Sequence, residues 1–370
     1  MHLAVDCRSV HPHMGGIGRA ALDLVQILGA RSRGHQITMI VAADRIGEVA
    51  IKGVHFLPVD GAMIDERYDQ FHLPSALEQL APDVYLNTTF AVPAIKTTTI
   101  QASIIHDVVF EDHPEYVEPH LCRYLSRWSR FAAEQADHVL TVSDHARERI
   151  QQVYGVDPSR ITRIYNGLSP HCFECPDRSE VGRVRAKHSL PPSFLLFLGS
   201  LEIKKGVVEL LKAFRKACDL GLSESLVLAG GKGGPEFDLE AEIRNSGVRD
   251  RVRALGFVDE RDKKALLKAS RLFIYPSLYE GFGLPPLEAM ALGVPTLVSD
   301  QTSLPEIVGN AALVAPVKDT EEFSQALVRG ARDDVFRHRA ASAGPARARQ
   351  FTWERSADEL LDLCERLGGS

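Results

Sequence analysis

The stretch YEGFGLPPLEAMALG sets two carboxylates, Glu280 and Glu288, around Gly281, Gly283 and a pair of prolines. Glycine lets a backbone approach a ligand closely, and early prolines suit the first turn of a helix, so a loop running into a helix start is expected, with Gly293 as the helix stop. A helix start offers unpaired N–H groups and a positive dipole end to phosphate. A carboxylate is the wrong group for phosphate but accepts hydrogen bonds from sugar or ribose hydroxyls. Together they call for a ligand that is both phosphate and polyol, and a nucleotide sugar is one. Two plainer readings stay open at this point. Glu288 also works as a dipole-favoured helix-start residue and Glu280 as a solvated loop charge, while a glycosidase would use paired carboxylates as acid and nucleophile.

Other residues carry weaker signals. Gly15, Gly16 and Gly18 follow the first apolar run, and GIGRAA reads literally as a G-x-G-x-x-A dinucleotide fingerprint, with ITMIVAAD ending in Asp44; an NAD-dependent oxidoreductase is therefore the rival reaction class. Against it, HPHM separates strand from glycines and Asp44 falls later than the usual spacing. His106 closes the run TTIQASIIHD, and taken alone it reads as a structural histidine. Cys172 and Cys175 in HCFEC have the spacing of half a zinc site, but no second pair accompanies them; a metal or redox role is the minor reading. In HLCRYLSRWSRFAAEQ, Arg123, Arg127 and Arg130 share one helical face and Leu121, Leu125 and Trp128 another, a pattern suited to an anionic surface or to ordinary packing on a sheet. No D-x-D spacing suggests a metal-bridged diphosphate.

The elements that must position these residues alternate. LAVDCR, ITMIVAAD, DVYLNT, TTIQASIIHD and HVLTVSD in the first half, and SFLLFLGS, SLVLAGG, VRALGFV, RLFIYPS and PTLVSD in the second, are strand-like runs separated by helical patterns such as VVELLKAFRKAC and DERDKKALLKAS. Such βα alternation predicts two doubly wound parallel sheets of Rossmann-like α/β type, with ligands outside the carboxyl ends of strands. The chain of 370 residues, 45% hydrophobic and 25% charged, is long enough for two cores. Its polar connection near residues 170 to 190 sets the domains at 1–180 and 181–350, the final helix near 352–368 packing back on the first. A net charge of −6 gives no general attraction to nucleic acid. Six cysteines and the lack of a membrane-length apolar run or a signal-like N-terminus fit a cytoplasmic enzyme with reduced thiols.

E-G-F-G-L-P-P-L-E resembles the E-x7-E element of family-four retaining glycosyltransferases, whose GT-B architecture has two Rossmann-like domains facing across a cleft. MGGIGRAALDLVQIL is similar to that family's Gly-rich loop, IIHDVVFEDHPEY to its His-bearing strand end, and VLTVSDHARERI with RITRIYNG to its domain-closing segment. FLGSLEIKKGVVELLKAF, LGFVDERDKKALLKAS and GVPTLVSDQTSLPEIVGNAALVAPVKD resemble the successive elements of its second domain.

The resemblance implies transfer of a hexose, first of all mannose, from a nucleoside-diphosphate sugar, with retention and without a metal or other cofactor. Lys205 with Lys204 would hold the diphosphate, Glu288 the ribose and Glu280 the transferred sugar. Phe282, Gly283 and Leu284, together with Gly281, would line sugar and diphosphate, and Gly256, Phe257 and Val258 the base. Gly16 would approach the diphosphate, with Arg19 beside it; His106 would join Glu280 and Lys205 in catalysis, with Asp107 and Gly15 toward the acceptor. Ser200 stands where the family commonly has Arg, which makes Lys204 the substitute cation. The acceptor would be a saccharide or lipid-linked saccharide of surface-polysaccharide assembly, the protein a monomer or homodimer, with peripheral contact at the inner face of a membrane. A third class, a non-catalytic nucleotide-sugar-binding protein, would share the same residues.

Overall fold

Strands buried on both faces read as continuous apolar runs, because each face must meet a helix. The computed structural model, which describes residues 1–11, 14–44, 50–60, 66, 68–93, 98–234 and 237–369, has two sheets built this way. His13, inside the HPHM stretch, lies outside the described residues. The chain divides into two units: Met1–Asp112 with His120–Gly167 and Phe351–Ser370, and His113–Pro119 with Leu168–Gln350.

In the first unit the strands are β1 (His2–Asp6), β2 (Gln36–Ala42), β3 (His55–Val59), β4 (Val84–Asn87), β5 (Ile100–Ile104), β6 (His138–Thr141) and β7 (Ile161–Arg163). They lie in the order β3-β2-β1-β4-β5-β6-β7, and every pairing is parallel. One face of this sheet is covered by the helix Gly16–Ala30 and the final helix Trp353–Gly368, whose Trp353, Ala357, Leu360, Leu361 and Cys364 share a core with Leu3, Val5, Leu24 and Leu28. The other face packs Ala4, Ile40 and Tyr85 against Tyr68, Leu73 and Leu77.

The second unit repeats the plan with β8 (Phe194–Leu198), β9 (Ser225–Ala229), β10 (Val252–Gly256), β11 (Leu272–Tyr275), β12 (Thr296–Ser299) and β13 (Leu313–Ala315), ordered β10-β9-β8-β11-β12-β13. These pairings are also parallel. Both orders are doubly wound, and each reverses direction once, between β1 and β4 and between β8 and β11. At such a switch point the loops leaving two adjacent strands diverge and leave room for a ligand. β3, β7 and β13 are additions to the runs picked out above. All three are edge strands, and β3 contains Pro58, which removes a ladder donor and masks the strand in sequence. Among the described residues no helix is long and apolar enough to cross a membrane.

Candidate functional site

The switch point of the second sheet gathers the two lysines and two glutamates named above. β8 ends into Gly199 and Ser200, then a short turn, Ile203–Lys205, before the helix Val207–Asp219. β11 ends into Ser277 to Glu280, then Gly283 and the helix Leu284–Ala291. The two loops are stitched at Lys204, whose carbonyl accepts from the Leu278 N–H at 2.8 Å and the Ser277 hydroxyl at 3.2 Å. Gly206 makes this approach feasible. It sits at φ 68°, and a Cβ there would lie 2.0 Å from the Pro276 carbonyl oxygen, so KKG needs its glycine for both conformation and space.

Lys205 Nζ consequently reaches Glu280 Oε1 at 2.5 Å, with both side chains largely buried. Burial alone would raise the Glu280 carboxyl, but the charges of Lys205 and Lys204, with hydrogen bonds from Lys205 and Ser277, outweigh it and hold the group below its ordinary value. The carboxylate is therefore ionised at neutral pH. Beneath the pair, Tyr275 is pushed up, first by its own burial and then by the Glu280 charge. Lys204 makes no ion pair among the described residues and remains available as a second cation.

Three groups fixing this loop were not singled out in sequence. Thr302, after β12, accepts a hydrogen bond from the Glu280 N–H at 3.0 Å and does so at φ 54°, a conformation costly for a β-branched residue. Ser303 donates to the carbonyls of Glu280 and Phe282, both at 2.9 Å. His113 stacks on Tyr116 and meets the buried Tyr279 ring edge-on at 5.9 Å. The available signal was QTS following a strand in the same sheet.

Glu288 is placed one turn into its helix, where Lys263 Nζ contacts Oε1 at 2.6 Å; Oε2 is buried without a hydrogen-bond partner. Burial opposes the Lys263 charge, but Glu288 and Glu260 raise its pKa on balance. Lys263 is a further missed residue, one lysine among three in DKKALLK. Ser200, in the place expected of a cation, donates to Glu202 at 2.8 Å instead.

Gly256 and Phe257 border a cavity of about 930 Å³, shared with Leu201, Gly230, Lys232 and Asp238; Val258 is not part of that wall. Gly256 takes φ 68° with open space where a Cβ would stand, and Phe257 is 76% exposed at the rim. Gly281, Phe282, Gly283 and Leu284 form the connection from Glu280 into the helix; Phe282 is buried and Gly283 takes φ 112° as the N-cap. The described residues thus bring Lys204, Lys205, Glu280 and the 281–284 backbone together, with Glu288 held by Lys263 on the helix that follows.

The remaining candidates lie in the first unit. Gly15 and Gly16 open the helix Gly16–Ala30, each with open space where a Cβ would be, whereas a Cβ on Gly18 would stand 2.3 Å from the Ser9 carbonyl. Gly18 is therefore a packing residue and the other two leave backbone accessible; Arg19 is exposed. Residues 7–15 separate β1 from this helix, so the tight strand–turn–helix of a dinucleotide fingerprint is not formed. His106 Nε2 lies 3.0 Å from the Thr88 carbonyl. A carbonyl only accepts, so Nε2 carries the proton and Nδ1 keeps its lone pair in the neutral ring. Burial lowers the imidazole below its ordinary value, against the Thr88 contact and the Asp107 charge. Phe90, at φ 75°, meets the ring edge-on. Asp107 accepts from the Val109 N–H at 3.0 Å.

Below these loops lies a network legible only as an acid and a base inside an apolar run. Arg8 sits between Asp6, at 2.8 Å, and Asp69, at 2.5 Å, with Tyr85 and Tyr124 donating to the two carboxylates. These contacts link β1 and the loop after it to β4, to the turn Tyr68–His72 and, through Tyr124, to the helix Pro119–Gln135. Among the described residues, no group of three or more His, Cys, Asp or Glu could hold a metal ion.

Two family models match the chain: Glycosyltransferase Family 4 over residues 14–171 and Glycosyl transferases group 1 over residues 182–347. The chain is 31% identical to the O-antigen chain mannosyltransferase B of Escherichia coli, over 95% of its own length and 96% of that protein. It is 28% identical to the Serotype-specific mannosyltransferase WbdA of Escherichia coli, over 99% of its length and 48% of that longer protein. Among solved structures, Anabaena Alr3699/HepE in complex with UDP and glucose superposes with a TM-score of 0.76 at 18% identity, covering 99% of this chain and 100% of that one. The sucrose-phosphate synthase of Thermosynechococcus elongatus gives 0.77 at 18% identity, with 99% of each chain covered.

Proposed function

Because the chain belongs to the group 1 glycosyltransferases of family four, we propose that it transfers mannose from a nucleoside-diphosphate sugar to a saccharide or lipid-linked saccharide during assembly of a surface polysaccharide. The identity of the relatives supports the sugar and the setting. The observation that carries the donor assignment is the Lys205–Glu280 pair at 2.5 Å on the β8/β11 switch point. A diphosphate arriving there gives Lys205 a second anion, joined by Lys204 and by the N–H groups where the 281–284 backbone enters its helix. Glu280, ionised and fixed by Thr302, accepts hydroxyls of the sugar attached to that diphosphate. Glu288 takes the ribose, and the cavity at Gly256 and Phe257 takes the base.

Transfer follows as departure of the diphosphate while positive charge grows at the anomeric carbon. The lysines stabilise the leaving charge, which is larger in the transition state than in the bound donor, and this difference is what accelerates the step. The acceptor hydroxyl attacks from the face the diphosphate leaves, which retains configuration. Two lysines compensating the diphosphate support transfer that needs no metal. His106 contributes Nδ1 as an acceptor for a sugar hydroxyl, and Asp107, Gly15 and Gly16 serve the acceptor and diphosphate ends. Arg123, Arg127 and Arg130 are exposed on their helix, while Trp128 on the opposite face is buried. This supports contact with an anionic membrane surface where a lipid-linked acceptor would reside, although Arg127 is engaged with Glu66.

The test incubates the protein with nucleotide sugars of the four common bases and a mannan or lipid-linked acceptor, following released nucleoside diphosphate. Release that requires acceptor, and that Glu280→Ala and Lys205→Ala each abolish, is the expected result. Saturable NADH binding with no nucleotide released would instead return the oxidoreductase reading, and binding of nucleotide sugar without turnover the binding-protein reading.

A further inference from the structure

The Cys172/Cys175 motif plays no part in the transfer described above, yet its surroundings connect it to the donor site. Cys172 lies in the single 3-10 turn Pro170–Phe173, and Glu174 then takes φ −75°, ψ 109°. Cys-x-x-Cys spacing is one in which a local change of the intervening backbone brings the two residues to the separation of about 4.4–6.8 Å between Cα atoms that a disulfide requires. Neither is held in a disulfide; Cys172 is partly accessible and Cys175 exposed.

This turn is tied to both helices that build the Glu288 site. It packs on the helix Leu284–Ala291, which bears Glu288. From the helix Glu260–Ala269, Lys264 Nζ donates to the His171 carbonyl at 3.1 Å and contacts Glu174 Oε2 at 3.2 Å. The adjacent residue, Lys263, holds Glu288 and is within electrostatic reach of the Cys172 sulfur. Glu174 lies between the two cysteines in sequence, so drawing Cys175 toward Cys172 must displace the Lys264 anchor.

We propose that Cys172 and Cys175 are an oxidisable pair whose closure to a disulfide loosens the Lys263–Glu288 contact and weakens nucleoside-diphosphate binding. With glutathione disulfide as oxidant, the Cys172 thiolate attacks one sulfur and expels a glutathione thiolate. Cys175 then attacks the mixed disulfide and expels the second. The pair gives up two electrons and two protons, and the glutathione disulfide is reduced to two thiols.

The inference rests on the donor reading of this site, and its test separates the two. Full-length protein, reduced or treated with glutathione disulfide, is examined by intact mass and peptide mapping, then titrated with GDP and UDP. Expected are a 172–175 disulfide, a rise in Kd of about fivefold or more on oxidation, reversal by dithiothreitol, and Cys175→Ser protein that binds as the reduced parent does with or without oxidant. Absence of that disulfide, or equal Kd in both redox states, overturns the proposal. Failure of the reduced protein to bind either nucleotide counts against the donor reading. In that event hydrogen exchange across residues 260–291 decides the coupling: faster exchange in the disulfide form supports it, and unchanged exchange overturns it.

Discussion

Lys205→Met, which keeps the stem of the side chain and deletes its charge, tests the pair at the centre of the site. Lys205 and Glu280 side chains are 13% and 12% exposed, so the substitution leaves a buried carboxylate without its cation, a change that costs about 3–5 kcal/mol when nothing relaxes. Glu280 can relax by taking up a proton. Starting from an ordinary value of 4.5, that uptake costs about 3.4 kcal/mol at pH 7 and about 0.7 kcal/mol at pH 5, which caps the loss at each pH. The parent behaves oppositely. Its folded-state Glu280 is depressed, so the contribution is complete above the ordinary glutamate value and disappears as pH falls through the depressed one. The two stability curves must therefore converge on acidification. For a unit of about 190 residues, differential scanning calorimetry without nucleotide should show Tm lowered by about 7–14 °C at pH 7 and about 1–3 °C at pH 5. Equal losses at the two pH values, or a loss under about 1 kcal/mol at pH 7, would refute the buried-pair argument. Lys205→Met/Glu280→Gln should restore most of the stability at pH 7 and none of the transfer activity.

Three further outcomes are expected. Gly206→Ala forces a side chain against the Pro276 carbonyl at positive φ, so it should cost more than about 1 kcal/mol in urea unfolding and lower kcat beyond what residual stability explains; parent-like kinetics would mean the two loops are not coupled through Lys204. Asp262, buried and held first by Lys187 and then by Arg183 and His188, lies well below the usual carboxylate range; Asp262→Ala should lower Tm at pH 7, with the gap to the parent closing below about pH 4, and a gap constant down to pH 3 would contradict the linkage. Leu361→Ala empties a fully buried position in the first unit's core and should destabilise that unit by about 2–5 kcal/mol, while nucleotide binding at low temperature is retained; loss of both together would show that the final helix supports more than its own sheet.

The interior of both sheets was legible in the sequence because parallel strands must be apolar on both faces. FLLFL, SLVLA and LFIY announce themselves, and all three are buried along almost their whole length. Three of the four edge strands were not, for the same reason in reverse. HFLPV, ITR and LVA have one neighbour each and less to bury, so nothing forces a long apolar run. The first-unit network shows a different limit. Asp6 and Arg8 stand out in VDCRS, but Asp69 lies 61 residues beyond Arg8 in an unremarkable polar stretch, and only the fold makes it a partner.

The site divides along the same line. Sequence marks which loops leave strand ends, and glycine and proline punctuation marks how they leave; the assignment of KKG and EGFG to one ligand comes from the family resemblance. Their contact needs the strand order. Lys205 and Glu280 are 75 residues apart, and they meet because β8 lies between β9 and β11, so that the loops leaving β8 and β11 flank the switch point. The position of β12 on the far side of β11 then delivers Thr302 to the Glu280 backbone. Those two contacts follow from topology once the order is known. Lys263–Glu288 does not, since it joins the helix before β11 to the helix after it, and its formation depends on the rotation of each helix about its own axis. Periodicity fixes that rotation to within one face, which leaves Lys263 and Lys264 equally eligible. Packing against the Pro170–Phe173 turn separates them, giving Lys264 to the turn and Lys263 to Glu288. The residue that holds Glu288 is thus chosen by the same turn that carries the two cysteines.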